Sequence, residues 1–298
     1  MVSTQMENLI NFIRQSQGDE PDVSVEGIRA AFDQIASMVR VPKDATCEPV
    51  SAGGVPAEWI SVPDSIPEKI LLYFHGGGYV AGSLNSHREY AVRLARASKT
   101  RVLLIDYRLA PEHSFPAALE DAVEAYRWLI SSEQILPKNL VIGGESAGGA
   151  LTVATLLKLR DENVDLPIAA VTLSPFMDLA VTGESIKTKA DVDPLVLQEM
   201  LELDAKLYLN GEDPRNPLAS PLYADLKGLP PLYVQVGSAE ILLDDSIRFV
   251  DAAKAAGVDV KFEVWDDMIH MFQMFASMAP EGQDAINKIG EFVLEYLS

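Results

Sequence analysis

The amino-acid sequence predicts an α/β fold: an eight-stranded, mostly parallel sheet with helices on both faces and a helical cap. Three observations carry this. Short apolar runs of β type recur from about residue 46 onward. Amphipathic helical stretches lie between most of the later runs. One segment, 182–226, breaks that rhythm with no strand pattern at all. Apolar strands alternating with helices imply a parallel sheet covered on both faces.

The elements follow in order. Apolar Leu9, Ile10, Phe12 and Ile13 mark a first helix over Met6–Gln15. Val25, Ile28, Phe32, Ile35 and Val39 recur at helical spacing and predict a second over Ser24–Arg40, with Ser24 as its N-cap. Strands are expected at Thr46–Ser51, Ala57–Val62, Ile70–Phe74, Arg101–Ile105, Leu140–Gly143, Ala169–Leu173, Leu232–Val236 and Val260–Val264. The first of these lack intervening helices and should pair antiparallel at one edge. Helices are expected at Ser86–Ser98, Ala117–Ser131, Ala147–Asp161, Asp244–Ala256 and Gln283–Leu297. Within the interrupting segment, Pro194–Leu209 is helical and Asp213–Pro221 is rich in Pro and Asn. The organisation is therefore an N-terminal helical part of the cap (1–45), a core in two pieces (46–181 and 227–298), and a cap insertion (182–226). Ligands of such sheets sit at the C-terminal ends of the strands, under such a cap.

Composition narrows the function. With 298 residues, 48% of them hydrophobic and 23% charged, the chain can bury a full core and is neither disordered nor collagen-like. The formal net charge of −20 repels phosphate backbones and anionic lipid surfaces, so neither nucleic acid nor a membrane is an expected partner. No apolar run approaches the ~18 residues of a membrane span. The N-terminus has no basic residue before Arg14 and no unbroken apolar run, so no secretory signal is expected. A single cysteine, Cys47, excludes an internal disulfide and a multi-thiolate metal site, and suits a cytoplasmic location.

The strongest chemical signal is Gly144-Glu145-Ser146-Ala147-Gly148. It sits between an expected strand and an expected helix, the context of a nucleophile elbow. Such a serine stands at a helix N-terminus, whose partial positive charge favours a developing anion. A second signal, His75-Gly76-Gly77-Gly78-Tyr79, closes the third strand. Acyl transfer needs N–H donors aimed at the tetrahedral oxyanion, and Gly76, Gly77 and Ala147 are the expected donors. A phosphate-binding loop is the weaker reading, poorly supported because the Gly-Lys-Ser/Thr ending is missing. The serine also needs a base, most often His. Of His75, His87, His113 and His270, only His270 follows Ser146, as the Ser–acid–His order of α/β-hydrolases requires. His75 is expected to orient the glycine loop, and His87 and His113 to be loop residues without a catalytic role. The acid should follow the seventh strand, where Glu240, Asp244 and Asp245 are candidates. Asp244 and Asp245 open a helix, where carboxylates are commonly caps, whereas Glu240 lies on the loop.

Together, HGGGYVAGS (75–83), DYRLAPEHSFPAALED (106–121), GESAGG (144–149), SPFMDL (174–179) and the His270 segment resemble the bacterial hormone-sensitive lipase family of esterases, from about residue 40 to the C-terminus. The resemblance implies an α/β-hydrolase with an eight-stranded sheet, a cap, carboxylic ester hydrolysis and no cofactor. It departs in two places. Glu145 stands where the family has Asp, and Glu240-Ile241-Leu242-Leu243-Asp244 replaces Asp-Pro-Leu-x-Asp. The alignment puts Glu240 on the catalytic acid, giving a Ser146–Glu240–His270 triad. In 107–121, Arg108, Glu112 and Asp121 are expected to form buried ion pairs while Pro111 and Pro116 fix a turn tight enough for cis X-Pro bonds.

The expected activity is hydrolysis of short- to medium-chain esters. An amidase or lactonase could use the same residues. A binding protein on the same fold, as in plant hormone receptors that lose the catalytic His, is disfavoured by His270. Proteins that resemble this one commonly dimerise through the last strand and helix.

Overall fold

The structure is a computed structural model that describes residues 2–17 and 22–298. Residues 1 and 18–21 of the expected N-terminal segment lie outside the described residues.

One sheet organises the chain. Its strands are β1 (Thr46–Ala52), β2 (Val55–Ser61), β3 (Ile66–Phe74), β4 (Thr100–Ile105), β5 (Leu140–Glu145), β6 (Ala169–Leu173), β7 (Leu232–Gly237) and β8 (Val260–Trp265), in spatial order β1-β2-β4-β3-β5-β6-β7-β8. β1 pairs antiparallel with β2, as expected, and β2 antiparallel with β4. All other neighbours are parallel. The crossing of β3 over β4 sets β2 beside β4 rather than beside its successor in sequence.

The helices are α1 (Thr4–Gln17), α2 (Val25–Met38), α3 (Leu84–Ser98), α4 (Ala117–Ser131), α5 (Ala147–Asp161), α6 (Ser185–Thr188), α7 (Gln198–Leu209), α8 (Leu243–Ala255) and α9 (Pro280–Tyr296). Ser24 caps α2 as expected, its hydroxyl accepting the Gly27 N–H at 3.1 Å. The central strands are buried end to end, because helices cover both faces. On one face α4, α5 and α8 pack over residues such as Leu72, Ile142 and Val234; on the other, α3 and α9 cover Leu71, Val141 and Tyr233. A smaller apolar cluster joins Met6, Leu9 and Ile13 of α1 to Ile269 and Phe272 after β8. Among the described residues no helix is long and apolar enough to cross a membrane.

Two local expectations change. The helix expected from Pro194 begins only at Gln198, because Asp193 turns the preceding N–H groups of Leu195 and Val196 onto its own Oδ1. Glu112 does not join Arg108 and Asp121 in a buried cluster. It pairs with Arg29 of α2 at 2.8 Å on a partly exposed surface, while Arg108 grips Asp121 at 2.7 Å. The Ala110–Pro111 and Phe115–Pro116 bonds are cis.

Candidate active site

β5 ends at Glu145, and the chain reverses into α5 through Ser146 at φ 52°, ψ −120°. A non-glycine residue holds such a conformation only where its surroundings enforce it. Here the Ser146 N–H donates to the Leu173 carbonyl at 2.8 Å, and its own carbonyl accepts the Gly149 and Phe176 N–H groups at 3.0 Å each. The turn also presses against β3: a Cβ on Gly148 would lie 2.1 Å from the Phe74 carbonyl oxygen. Only glycine fits there. The result is a serine that breaks the surface at a helix N-terminus, 7% exposed.

The glycine loop lies beside it, but its donors are arranged differently from the expectation. The Gly76 N–H is given to Glu145 Oε1 and is therefore occupied. The N–H groups of Gly77, Gly78 and Ala147 have no acceptor among the described residues. Gly77 and Gly78 adopt φ 111° and 63°, the left-handed region that glycine enters without a Cβ clash. Glu145 is in turn met by His87 Nε2 at 2.9 Å, and His87 Nδ1 by Ser86 Oγ at 2.8 Å. His87 is thus no loop residue. It is fully buried on α3, on the same helical face as Tyr90, Ala91 and Leu94. His113 is an exposed turn residue, as expected.

His75 does orient the loop. Its Nδ1 lies 2.8 Å from the Gly76 carbonyl, its ring stacks on Tyr107 at 4.2 Å, and the Tyr107 hydroxyl donates to the His75 carbonyl at 2.6 Å. Burial, with His87 alongside, pushes its pKa down to about 3, so it is a neutral structural ring.

His270 and Glu240 come together from the ends of adjacent strands. Glu240 follows β7 and His270 follows β8, with Nδ1 and Oε1 3.1 Å apart and neither side chain appreciably exposed. The other Glu240 oxygen accepts Ser174 Oγ and the Gly237 N–H, both at 2.8 Å, which leaves one oxygen for the imidazole. Burial of the His270 ring works against its protonated form. The hydrogen bond and charge of Glu240, with Asp193 and Glu145 beyond it, outweigh burial and raise the pKa above its ordinary value. Asp244 and Asp245 point elsewhere. Asp244 meets Ser185, and Asp245 accepts the Met177 and Asp178 N–H groups at 2.8 and 2.9 Å.

Residues 71–274 match a family model described as the alpha/beta hydrolase fold. The chain belongs to the α/β-hydrolase family. Within it, it groups with bacterial hormone-sensitive lipase relatives. An esterase of that group superposes with a TM-score of 0.96 at 47% identity, covering 100% of both chains. An acetyl-hydrolase of Streptomyces hygroscopicus is 45% identical over 90% of this chain and 89% of its own length. An esterase of Acinetobacter venetianus is 36% identical over 91% of this chain and 89% of its own.

This α/β-hydrolase adds two carboxylates that the sequence reading missed, both from the segment 182–226 between β6 and β7. Asp193 is buried, and its Oδ2 accepts the Ile241 N–H at 3.0 Å, fixing the backbone that follows Glu240. Asp204 of α7 packs against Gly78. An acidic residue on the apolar stripe Leu201–Ala205–Tyr208 was the signal that could have found it.

Proposed function

We propose that this chain is a serine carboxylesterase acting on short- to medium-chain esters through an acyl-enzyme. The observation that carries the proposal is the Glu240–His270 pair at the strand edge that also presents Ser146 on its strained elbow. Ser146 Oγ attacks the ester carbonyl while His270 Nε2 takes its proton. The carbonyl electrons move onto oxygen, and the Gly77, Gly78 and Ala147 N–H groups stabilise the oxyanion. Collapse of this intermediate expels the alcohol, to which His270 returns the proton. Water then repeats the sequence on the acyl-serine, releasing the acid and free Ser146. Glu240 holds the imidazole in the tautomer that leaves Nε2 free and stabilises the imidazolium as it forms.

The acyl range rests on the compact covering formed by α2 and the 182–226 insertion, which we assign as the cap, and on the acetyl-hydrolase relative. A cytoplasmic location fits the lone Cys47, and a homodimer through the β8 edge and α9 fits the exposed Val264 of that strand. The test is direct. A serine-directed phosphonate should label Ser146 alone and abolish hydrolysis of p-nitrophenyl butyrate, and Ser146→Ala should lose both labelling and turnover. Labelling that persists in the Ala variant overturns the assignment.

A further inference from the structure

Asp204 is a carboxyl without a partner. It is 6% exposed, its Oδ1 is sealed from water, and neither oxygen accepts a hydrogen bond among the described residues. Burying a polar group unpaired costs folding free energy, so a native protein that keeps one has a use for it. Its place suggests which. A Cβ built on Gly78 would lie 1.9 Å from Asp204 Oδ2, so the carboxyl rests directly on the glycine whose N–H is a free oxyanion donor. Neighbouring contacts anchor α7 at this place. One turn further along α7, the Tyr208 ring lies flat on Tyr79 at 3.7 Å, and the Tyr208 carbonyl accepts the Phe115 N–H at 2.7 Å.

We propose that Asp204 is a specificity-determining residue that selects esters carrying a hydroxyl group within a few atoms of the scissile carbonyl. This deepens the esterase reading and rests on it. Burial alone pushes the Asp204 pKa up to about 8, with no charged neighbour contributing, so the carboxyl is neutral at pH 7. At Oδ2, the oxygen that rests on Gly78, a neutral carboxyl offers either an O–H donor or a carbonyl acceptor, and a hydroxyl is complementary to either. Neutrality also suits the position, because an ionised carboxylate against Gly78 would oppose the oxyanion forming there. An ester with a methyl group in place of the hydroxyl leaves the carboxyl unsatisfied, the circumstance in which a site discriminates most strongly between isosteres.

The hydroxyl can come from either side of the ester, and two isosteric pairs separate the sources. On the acyl side, p-nitrophenyl 3-hydroxybutyrate is compared with p-nitrophenyl 3-methylbutyrate. On the alcohol side, 2-hydroxyethyl butyrate is compared with propyl butyrate. In one pair, Asp204→Leu should lower the hydroxyl-to-methyl ratio of kcat/KM by about tenfold, the size of one well-made hydrogen bond. Asp204→Asn, which keeps a donor and an acceptor in the same shape, should retain most of the ratio, and Asp204→Ala, which keeps neither, should lower it as Leu does and covers the case of a poorly folding Leu variant. A ratio that stays unchanged in both pairs when the carboxyl is removed, in Asp204→Leu or in Asp204→Ala, overturns the proposal. Turnover of the methyl esters by the unaltered enzyme, lost in Ser146→Ala, keeps the esterase reading separate from that outcome.

Discussion

Asp244 and Ser185 are bonded in both directions: Asp244 Oδ2 accepts the Ser185 N–H at 2.8 Å, and Ser185 Oγ accepts the Asp244 N–H at 3.0 Å. Ser185 Oγ also donates to the Ile241 carbonyl at 2.6 Å, so the start of α8 is tied to α6. Asp244 therefore serves as a clasp between two segments, and Glu240, one helical turn earlier, is left to face His270.

Glu240→Gln should reduce kcat by roughly 10²–10⁴ with little change in KM, because the lost interaction is with the imidazolium of the transition state. Asp244→Ala should keep most turnover and lower stability by about 1–2 kcal/mol, the worth of a partly buried hydrogen bond to a carboxylate. That corresponds to a few degrees in Tm for a domain of this size. Steady-state kinetics and a thermal melt on both variants check the pair. The reverse pattern would move the acid to Asp244.

The pH profile follows from His270. It must be neutral to accept the serine proton, so kcat/KM rises as its proton leaves. Because its pKa is raised, the midpoint of the acid limb should lie above the ordinary imidazole value of about 6.5. Glu240→Gln removes the group that raises it, and the limb should move to lower pH. The stability linkage has the opposite sense to activity. A pKa raised in the folded state contributes stability that is complete below the unfolded value and is lost as pH rises through the folded one. A limb that stays in place in Glu240→Gln would separate Glu240 from the titrating ring.

Glu145 links the strand that carries Ser146 to the glycine loop 75–79 through the Gly76 N–H. Glu145→Ala should therefore lower kcat about 10–10²-fold, by letting Gly77 and Gly78 drift from the oxyanion position. Glu145→Gln keeps an acceptor for that N–H and should retain most activity. Phosphonate inactivation rates measure the same alignment without turnover.

The residues of the candidate site were legible because they are ordered along the chain. Ser146 announces itself in a glycine pentapeptide, and elimination leaves His270. The supporting contacts were less legible because they join distant segments. Arg29 and Glu112 are 83 positions apart, and β2 finds β4 only after β3 has crossed over. Which glycine N–H groups remain free depends on φ at Gly77 and Gly78 and on a Glu145 side chain that no local pattern reports. His87 is a different case. Its spacing to Tyr90, Ala91 and Leu94 placed it on the buried face of a helix that the sequence already predicted.

Chain-length preference tests the space beside the oxyanion loop. Tyr79 directly follows Gly78 and is sealed by the Tyr208 ring at an interplanar angle of 3°, with Phe115 edge-on to Tyr208 at 5.7 Å. An acyl chain that runs from Ser146 toward this stack gains about 0.8 kcal/mol per buried methylene only until it meets the wall of rings. Within a series of p-nitrophenyl esters, kcat/KM should peak between roughly two and eight carbons and then fall. Tyr208→Ala removes the wall at a cost of about 3–5 kcal/mol, comparable to other large aromatic deletions. If the variant stays folded at assay temperature, its optimum should move toward longer chains. Tyr208→Leu, which leaves a smaller gap, should shift it less. An optimum that ignores both substitutions would place the acyl chain on the other side of the loop, and efficiency that keeps rising through sixteen carbons would remove the wall from the account altogether.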